Sequence, residues 1–301
     1  MNKKFSLYLL IVSIAIMVIT SHASVISQRN AFRTPERIKE TARFKAKHER
    51  NIENEKRSKN KIYSRNTVAE PVLSQVNPNL NFPIGRFLIN LGNGSALHCT
   101  ASVINTENGN IGLTVAHCLT KDDGTTYDLK DFSFSPGYDN EQEGPLGTIN
   151  IEKLAVPYTN LVDPNVNDYA LVKFAFTDPN KGNARLQDYT GALGWRFDIG
   201  NNTLTNVFGY PGSGNLVNCN KTGKHLCEWQ GNVQKDNNFY FIDDVNLGTG
   251  ASGSPLIFQY NRNEHLGYAY ASHEAYVDET DKSIAPIWDE LIFFGLLLSL
   301  S

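Results

Sequence analysis

Residues 248–257 read "GTGASGSPLI", a cluster of glycine and serine that runs directly into a β-type apolar segment. Short clusters of Gly, Ser and Pro are usually turns. Ser252 stands between Gly250 and Gly253, and glycines beside a serine give the backbone the freedom to curl around it. The stretch alone predicts a turn between two strands, and the rest of the chain decides whether Ser252 is also reactive.

The body of the chain, from about residue 82 onward, carries short β-type runs such as "GRFLINL", "CTASVI" and "DYALVKFAF". These runs are rich in Val, Ile, Leu, Phe and Tyr, and clusters of Gly, Asn, Asp and Pro separate them. Long amphipathic helical patterns are scarce. The spacing therefore predicts an all-β barrel or sandwich.

The one helical pattern of the body lies at its end, in "IAPIWDELIFFGLLLSLS", residues 284–301. Its last, mostly apolar part is about eleven residues long, which is too short for a helix that crosses a bilayer. We expect a terminal helix that docks on the second half of the body. A tail signal for a GPI anchor is the alternative.

The N-terminus has the layout of a secretory signal peptide. Lys3 and Lys4 precede the apolar run "FSLYLLIVSIAIMVIT", and Ser21 and Ala23 provide the small residues of a cleavage site. The sequence predicts a signal peptide over residues 1–23 and a secreted, extracellular protein with no stable membrane span after cleavage. An uncleaved membrane anchor is the alternative, because the apolar run is somewhat long for a signal peptide.

Residues 24–66 form a basic segment, with 13 Lys and Arg against 5 Asp and Glu. Apolar residues are too sparse for it to fold alone, so we predict a propeptide that is largely disordered or helical. The body from residue 67 onward carries 13 Lys and Arg against 26 Asp and Glu, so the two parts attract each other. We expect the propeptide to be an intramolecular inhibitor, with a solvated tail as the alternative and Lys56–Arg57 or Arg65 as cleavage points. The acidic body argues against a nucleic-acid partner.

The four cysteines allow three disulfide connectivities. Export favours disulfides, and pairs that are close in sequence are the economical choice. A zinc site is the alternative, because histidines stand beside three of the cysteines, but the spacings fit no common zinc module and we predict no metal. The predicted pairs are Cys99–Cys118 and Cys219–Cys227. The neighbouring histidines are His98, His117 and His225.

Two further strings contain groups that would make Ser252 reactive. In "LTVAHC", residues 113–118, a β-type run ends on His117, and in "NDYALVKF", residues 167–174, Asp168 precedes an apolar run. Each residue alone is typical of a structural, surface or turn position. Together the three fit acyl transfer: a serine hydroxyl needs a base, an imidazole accepts its proton near neutral pH, and a buried carboxylate fixes the imidazole tautomer.

The order His, Asp, Ser and the strings around these residues resemble a trypsin-like (chymotrypsin-fold) serine protease, nearest to secreted glutamyl-endopeptidase-like microbial enzymes. The strings "FPIGRFLI", "CTASVI", "LTVAHC", "NDYALVKF" and "GASGSP" carry the resemblance, which covers about residues 82–290. It implies an all-β fold of two antiparallel six-stranded β-barrels with a C-terminal helix. The N-terminal barrel would span residues 67–190 and the C-terminal barrel, with the helix, residues 191–301.

The resemblance also implies a role for each site residue. His117 would be the general base and acid, Asp168 the carboxylate that orients it, and Ser252 the nucleophile that forms an acyl-enzyme. The N–H groups of Gly250 and Ser252 would form the oxyanion hole. The disulfide next to the histidine would tie down its strand. Substrates would be proteins or peptides, and no cofactor is implied.

The residue before the serine departs from the resemblance. Ala251 stands where many family members have an Asp, which in animal digestive enzymes receives the new N-terminal amine on zymogen cleavage. Ala251 cannot do so, and any latency should then come from the basic segment blocking the site. Two alternatives to the endopeptidase remain: a catalytically inactive protein of this fold that binds or adheres, and an esterase that uses the same three residues.

The primary substrate pocket is the least defined part of the resemblance. Its base falls at Asn246, which lacks the charge that favours Arg or Lys. Glutamyl endopeptidases place a His on the pocket strand, where this chain has Ala269, while His273 follows four residues later. The remaining predicted pocket residues are Tyr270 and Ala271.

Overall fold

The computed structural model describes residues 68–76, 82–92, 94–164 and 166–301. The predicted signal peptide and the predicted basic propeptide lie outside the described residues. Within the described ranges, the strands build two sheets and three α-helices accompany them.

Six strands form a closed barrel in the first half of the body. They are β1 (Ile84–Gly92), β2 (Ser95–Val103), β3 (Ile111–Thr114), β4 (Phe132–Pro136), β5 (Ile149–Ala155) and β6 (Ala170–Phe174). Around the barrel the order is β1-β2-β3-β6-β5-β4, with antiparallel pairing throughout. The barrel brings β3 and β6 together although more than fifty residues separate them along the chain.

Alternating side chains of these strands fill the barrel. In β1, Phe87 and Ile89 are buried while the residues on either side of Phe87 remain partly exposed, as expected for a strand with one face on a core. The ring of Phe87 stacks on Phe132 of β4, and Phe134 stacks on Phe174 of β6 with 4.4 Å between ring centroids. The β-type runs of the sequence thus supply the core that closes the barrel.

The second half forms one eight-stranded sheet. Its strands are β7 (Gly194–Trp195), β8 (Thr203–Gly209), β9 (Cys227–Lys235), β10 (Phe239–Asp243), β11 (Pro255–Asn261), β12 (Leu266–Ser272), β13 (Ala275–Val277) and β14 (Lys282–Pro286). Their order is β13-β14-β10-β9-β8-β11-β12-β7, and all pairs are antiparallel except β12 with β7.

The predicted fold class is confirmed, with one difference in detail. The chain folds into strands in two halves with a helix at the C-terminus, but the second sheet has eight strands instead of six. The two additional strands, β7 and β13, are only two and three residues long and lie at the edges. Strands of this length carry too few residues for a hydrophobic pattern that sequence reasoning can detect.

Three helices complete the described part: α1 (Tyr158–Val162), α2 (Leu186–Thr190) and α3 (Glu290–Leu300). The side chain of Asp289 caps α3 by accepting a backbone hydrogen bond from its first turn. Phe293 contacts Trp195 of β7, with 5.4 Å between ring centroids, and Lys153 of β5 donates to the carbonyl of Ser301. The terminal helix therefore packs on both halves, whereas we had expected the second half alone. None of the helices in the described ranges has the length and hydropathy needed to cross a membrane.

Both predicted disulfides are present, Cys99–Cys118 and Cys219–Cys227. The first joins β2 to the short 3-10 helix (Ala116–Cys118) that follows β3. Because every cysteine sulfur is bonded, the zinc alternative loses its thiolate ligands. Cys99, His117 and Cys118 place potential ligand atoms close together, but both sulfurs of this group belong to one disulfide.

Residues 68–76, which we call the strap, cross the second sheet and the connection before it. Val72 exchanges two backbone hydrogen bonds with Ala192, of 3.1 and 2.8 Å, and Ala69 forms an antiparallel bridge with Trp195 of β7. The N–H of Gln75 donates to the carbonyl of Asp188 in α2. The backbone of the strap thus pairs with residues on both sides of Gly194, where β7 begins.

Candidate active site

The barrel places His117 and Asp168 side by side. His117 lies in the 3-10 helix directly after β3, and Asp168 lies two residues before β6 begins. Since β3 and β6 are antiparallel, with Thr114 opposite Ala170, the end of one strand adjoins the start of the other. The disulfide at Cys118 holds the 3-10 helix against β2. The sheet register therefore determines the contact between the two predicted site residues.

The carboxylate of Asp168 binds His117 through both of its oxygens. Oδ2 lies 2.6 Å from Nδ1 of the imidazole, and Oδ1 accepts the backbone N–H of His117 at 2.8 Å. Asp168 is 2% exposed, whereas the side chain of His117 is 42% exposed. The bond at Nδ1 leaves Nε2 as the ring nitrogen that is free to exchange a proton with a neighbour.

The pKa of His117 reflects opposing effects. Burial disfavours the charged imidazole and lowers the pKa, while the hydrogen bond and charge of Asp168, together with the charge of Glu274, raise it. The net result is a pKa above the ordinary value of 6.5. A base with this pKa is neutral in mildly alkaline solution and still accepts a proton readily.

The loop that carries Ser252, which we call the Ser252 loop (residues 248–254), is tightly curled. Both Gly250 and Gly253 have a φ of +86°, a conformation that other residues rarely adopt. A Cβ atom at Gly250 would lie 2.2 Å from Nε2 of His98, and one at Gly253 would lie 2.1 Å from the carbonyl oxygen of Thr100. Glycine is therefore required at both positions by conformation and by space.

The hydrogen bonds of this loop leave two N–H groups available. The N–H groups of Ala251, Gly253 and Ser254 donate to carbonyls of Gly248, His273 and Ala251, respectively. In the described part of the chain, no acceptor takes the N–H of Gly250 or of Ser252. An oxyanion hole needs two such free donors, and these are the two that the sequence predicted.

The hydroxyl of Ser252 lies next to a segment that also reaches the His117–Asp168 pair. Its Oγ makes a long hydrogen bond of 3.4 Å to the carbonyl of Glu274, and the side chain is partly exposed. The carboxyl group of Glu274 interacts electrostatically with both Asp168 and His117. The structure thus pairs His117 with Asp168 directly. In the described residues the hydroxyl of Ser252 bonds the carbonyl of Glu274 and makes no hydrogen bond to His117.

The sequence analysis missed the part played by the dipeptide His273-Glu274 after β12. His273 is 2% exposed, and its backbone bonds Gly253 and Ser254 while its Nδ1 lies 3.2 Å from the carbonyl of Ala251. Burial lowers the pKa of His273 to about 4, so the ring is neutral and Nδ1–H is the donor. Its position after a β-type run was visible in the sequence, but nothing there indicated that it braces the Ser252 loop.

Three of the four predicted pocket residues lie in the core instead. Ala269 and Ala271 have no exposed surface, and Tyr270 is 1% exposed with its hydroxyl bonded to Thr205. These residues therefore do not line an open cleft. The β11–β12 pairing shifts register between Leu256 and Ile257, close to these residues.

The fourth predicted pocket residue, Asn246, lies in the connection that leads to the Ser252 loop and is partly exposed. Its side-chain Oδ1 accepts the N–H of Gly248 at 2.9 Å, and its backbone exchanges hydrogen bonds with Asn215. In this structure Asn246 organises the loop. The hydroxyl of Ser252 instead contacts the segment after β12, at the carbonyl of Glu274.

Ala251 occupies an apolar setting. It is 3% exposed and packs in a cluster that includes Leu247 and Tyr270. Its carbonyl receives both the N–H of Ser254 and the imidazole of His273. The residue that stands where the resemblance expects an Asp is therefore held by packing and by His273.

Comparison with solved structures identifies the fold. A thermostable serine protease, AL20, from an extremophilic microorganism matches with a TM-score of 0.58 and 18% identity, over 72% of this chain and 96% of that one. The protease Anisep from Arthrobacter nicotinovorans matches with a TM-score of 0.55 and 22% identity, over 72% and 93% of the two chains. A Glu endopeptidase in complex with MPD matches with a TM-score of 0.51 and 20% identity, over 78% and 98%.

Neither a family model nor a curated protein matches the chain. At identities of this size, the structural similarity establishes a fold, namely that of the chymotrypsin-like serine proteases, and the predicted resemblance is confirmed at that level. Function has to be argued from the site.

Proposed function

We propose that this protein is a serine endopeptidase that hydrolyses peptide bonds through an acyl-enzyme on Ser252. The observation that carries the proposal is the pairing of the buried Asp168 carboxylate with both the backbone N–H and Nδ1 of His117. An inactive scaffold does not need a solvent-exposed imidazole fixed in one tautomer by a carboxylate that is 2% exposed. A catalytic base does, because the tautomer determines which nitrogen accepts the proton.

In the proposed reaction, Nε2 of His117 accepts the hydroxyl proton of Ser252 as Oγ attacks the carbonyl carbon of the substrate. Asp168 stabilises the imidazolium that forms and stays ionised itself. His117 then gives the proton to the leaving amine, which departs as the carbon–nitrogen bond breaks. Water repeats the sequence on the ester of Ser252 and releases the acid product.

The negative charge on the substrate oxygen would be held by the N–H groups of Gly250 and Ser252. Both donors lack an acceptor in the described ranges, so they are available without breaking an internal bond. The loss of a single oxyanion-hole donor typically costs about 10²- to 10³-fold in kcat. The positive φ of Gly250 and the lack of room for a Cβ atom beside His98 require glycine at this peptide unit.

We further propose that the protein is secreted and made as a precursor. The two disulfides fit an oxidising compartment. The net positive charge of residues 24–66 complements the acidic body and favours inhibition by docking. A synthetic peptide of residues 24–66 should inhibit the processed enzyme, and more weakly as salt increases because the attraction is screened.

Labelling with a fluorophosphonate tests the nucleophile. The processed protein should be labelled, and S252A should not be. The matched control is S254A, since Ser254 lies in the same loop but its hydroxyl is fully buried. We expect S254A to be labelled like the wild type, and kcat for peptide hydrolysis to fall by about a million-fold in S252A alone.

Labelling that is absent, or equal in the wild type and in S252A, would contradict the proposal and favour the binding protein. An esterase would be labelled but would cleave small esters and leave peptides intact. Incubation with a peptide library, followed by mass spectrometry, separates these outcomes.

A further inference from the structure

Glu274 lies where the Ser252 loop meets the His117–Asp168 pair, and the proposed mechanism leaves it without a role. Its backbone is fixed on two sides: its N–H donates to the carbonyl of Ile284 in β14 at 2.9 Å, and its carbonyl accepts the hydroxyl of Ser252. The side chain therefore starts from a well-determined point next to the reacting groups.

The carboxyl group of Glu274 has few interactions that would stabilise its negative charge. Its Oε2 is buried and has no hydrogen-bond partner in the described part of the chain. Burial, followed by the nearby charge of Asp168, raises the pKa of Glu274 to about 8, although His117 opposes this shift. An ionised carboxylate that is buried without a partner is strongly disfavoured, so a neutral acid is the stable form at neutral pH.

The groups around Glu274 supply little positive charge unless His117 takes up a proton. Both oxygens of Asp168 are occupied by His117. His273, its neighbour in sequence, is buried and neutral, with a pKa near 4. In β14 the titratable residue is Lys282, and its ammonium pairs with Asp243 at 3.4 Å. The protonation of the Glu274 carboxyl group therefore depends on whether the imidazole of His117 is charged.

We propose that Glu274 is a positioning residue that acts through the His117–Asp168 pair, as an uncharged acid while His117 is neutral and as a carboxylate that stabilises the imidazolium once it forms. The inference rests on the proposed function. The proton that leaves Glu274 passes to solvent at the exposed part of the side chain, and no other bond changes. The two groups then titrate as a coupled pair.

The pH profile of kcat/KM tests this role, with E274Q as the neutral, equal-sized variant. Without the carboxylate, less negative charge favours the protonated imidazole, so the acid limb should move to lower pH by about 0.5 to 1 unit. At alkaline pH the variant lacks the charge that stabilises the imidazolium, so its plateau should be lower, by about three- to tenfold. The two profiles therefore cross.

The matched control is E279Q, which removes an exposed carboxyl group from the turn between β13 and β14. We expect its profile to overlay that of the wild type. A purely structural role for Glu274 would lower the profile of E274Q by one factor at every pH. Such parallel profiles, or profiles that coincide, would overturn the inference.

A second measurement does not depend on catalysis. In the S252A background, NMR can follow the titration of the His117 imidazole with and without E274Q. We expect the His117 midpoint to fall by about 0.5 unit or more in the double variant, and a broad titration that extends to about pH 8 to become a single transition. If peptide hydrolysis is absent but this shift occurs, the proposed function fails and the inference on Glu274 stands. An unchanged midpoint overturns the inference whatever the activity.

Should E274Q not fold, E274D carries the test, since it keeps a charge on a side chain shorter by one methylene. The coupled titration should persist in E274D with a changed spacing between its two steps. A single His117 transition in E274D, or a titration curve unchanged from that of the wild type, would contradict the role.

Discussion

At the scale of single residues, the site depends on how three ionisable side chains share charge. Asp168 is buried, His117 is partly exposed, and burial raises the pKa of Glu274. The charge of Asp168 acts on both His117 and Glu274, and these two act on each other, so the pKa values of His117 and Glu274 are coupled. Two predictions at this scale follow from the directions of the shifts.

The first concerns the pH dependence of activity. Since the pKa of His117 is raised above 6.5, the imidazole is charged and inactive as a base below that value. The value of kcat/KM should therefore rise with pH and reach its half-maximum above pH 6.5. D168N should lower kcat by about 10⁴-fold, because the imidazole loses its tautomer and its counter-charge. A half-maximum below pH 6 in the wild type would contradict the assignment.

The second concerns stability. The pKa of Glu274 is about 8 in the folded protein and near 4.5 when exposed, so the folded state binds more protons between these values. Stability from this group is fully present below about pH 4.5 and is lost as pH rises toward 8. E274Q removes this loss, so its Tm should exceed that of the wild type increasingly from pH 5 to pH 8. A Tm difference that is independent of pH would contradict the raised pKa.

At the scale of elements, the strands and turns determine where the predicted site residues lie. β3 and β6 deliver His117 and Asp168 by their register, and the curled Ser252 loop delivers two free N–H groups. The loop adopts its shape only with glycine at two positions, whereas the backbone of α3 does not require its glycine. The same substitution to alanine can therefore be compared at the two kinds of position.

We predict opposite effects for two glycine-to-alanine changes. G253A places a Cβ atom 2.1 Å from the carbonyl oxygen of Thr100 in a residue with φ +86°, so it should destabilise by at least about 2 kcal/mol and reduce activity. G295A lies within α3 with open space around its Cβ, so it should stabilise by about 0.8 kcal/mol and leave activity unchanged. Urea unfolding and a peptide assay measure both. Equal stabilities would contradict the account of the loop.

The roles of His117, Asp168 and Ser252 stay predictions, whereas the strands with clear alternation were predictable from sequence. β7 and β13 were not predictable, because an alternation of apolar and polar residues cannot be recognised over two or three residues. Three of the predicted pocket residues, Ala269, Tyr270 and Ala271, are buried in the core, and counting along the chain does not show which residues of a strand the fold covers. Glu274 was missed because a lone acidic residue after a strand looks like a solvated one.

At the scale of the whole molecule, the described body is closed by segments from both of its ends. The strap bonds to Ala192 and Trp195, and α3 packs against that same tryptophan. These contacts join parts of the chain that are far apart in sequence and cover an edge of the second sheet. An uncovered edge strand would offer unpaired backbone groups to other chains.

Truncation tests the strap. A processed chain that begins at residue 68 keeps every backbone bond of the strap. A chain that begins at residue 77 loses the bonds to Ala192 and Asp188, and it should be less stable by about 2 to 4 kcal/mol and more prone to aggregate. Equal Tm values for the two chains would mean that the strap contributes nothing. The expected maturation cut therefore falls before residue 68.

The bracing of the Ser252 loop by His273 bears on how such a precursor would be kept silent. Groups inside the body hold the loop in its shape, so the geometry of the loop does not depend on a new N-terminus produced by cleavage. The precursor would then be inactive only because its active site is covered, and the cover would exclude large molecules more than small ones. A small phosphonylating reagent should modify the unprocessed chain nearly as fast as the processed one, whereas a bulky protein inhibitor should bind only after the cut.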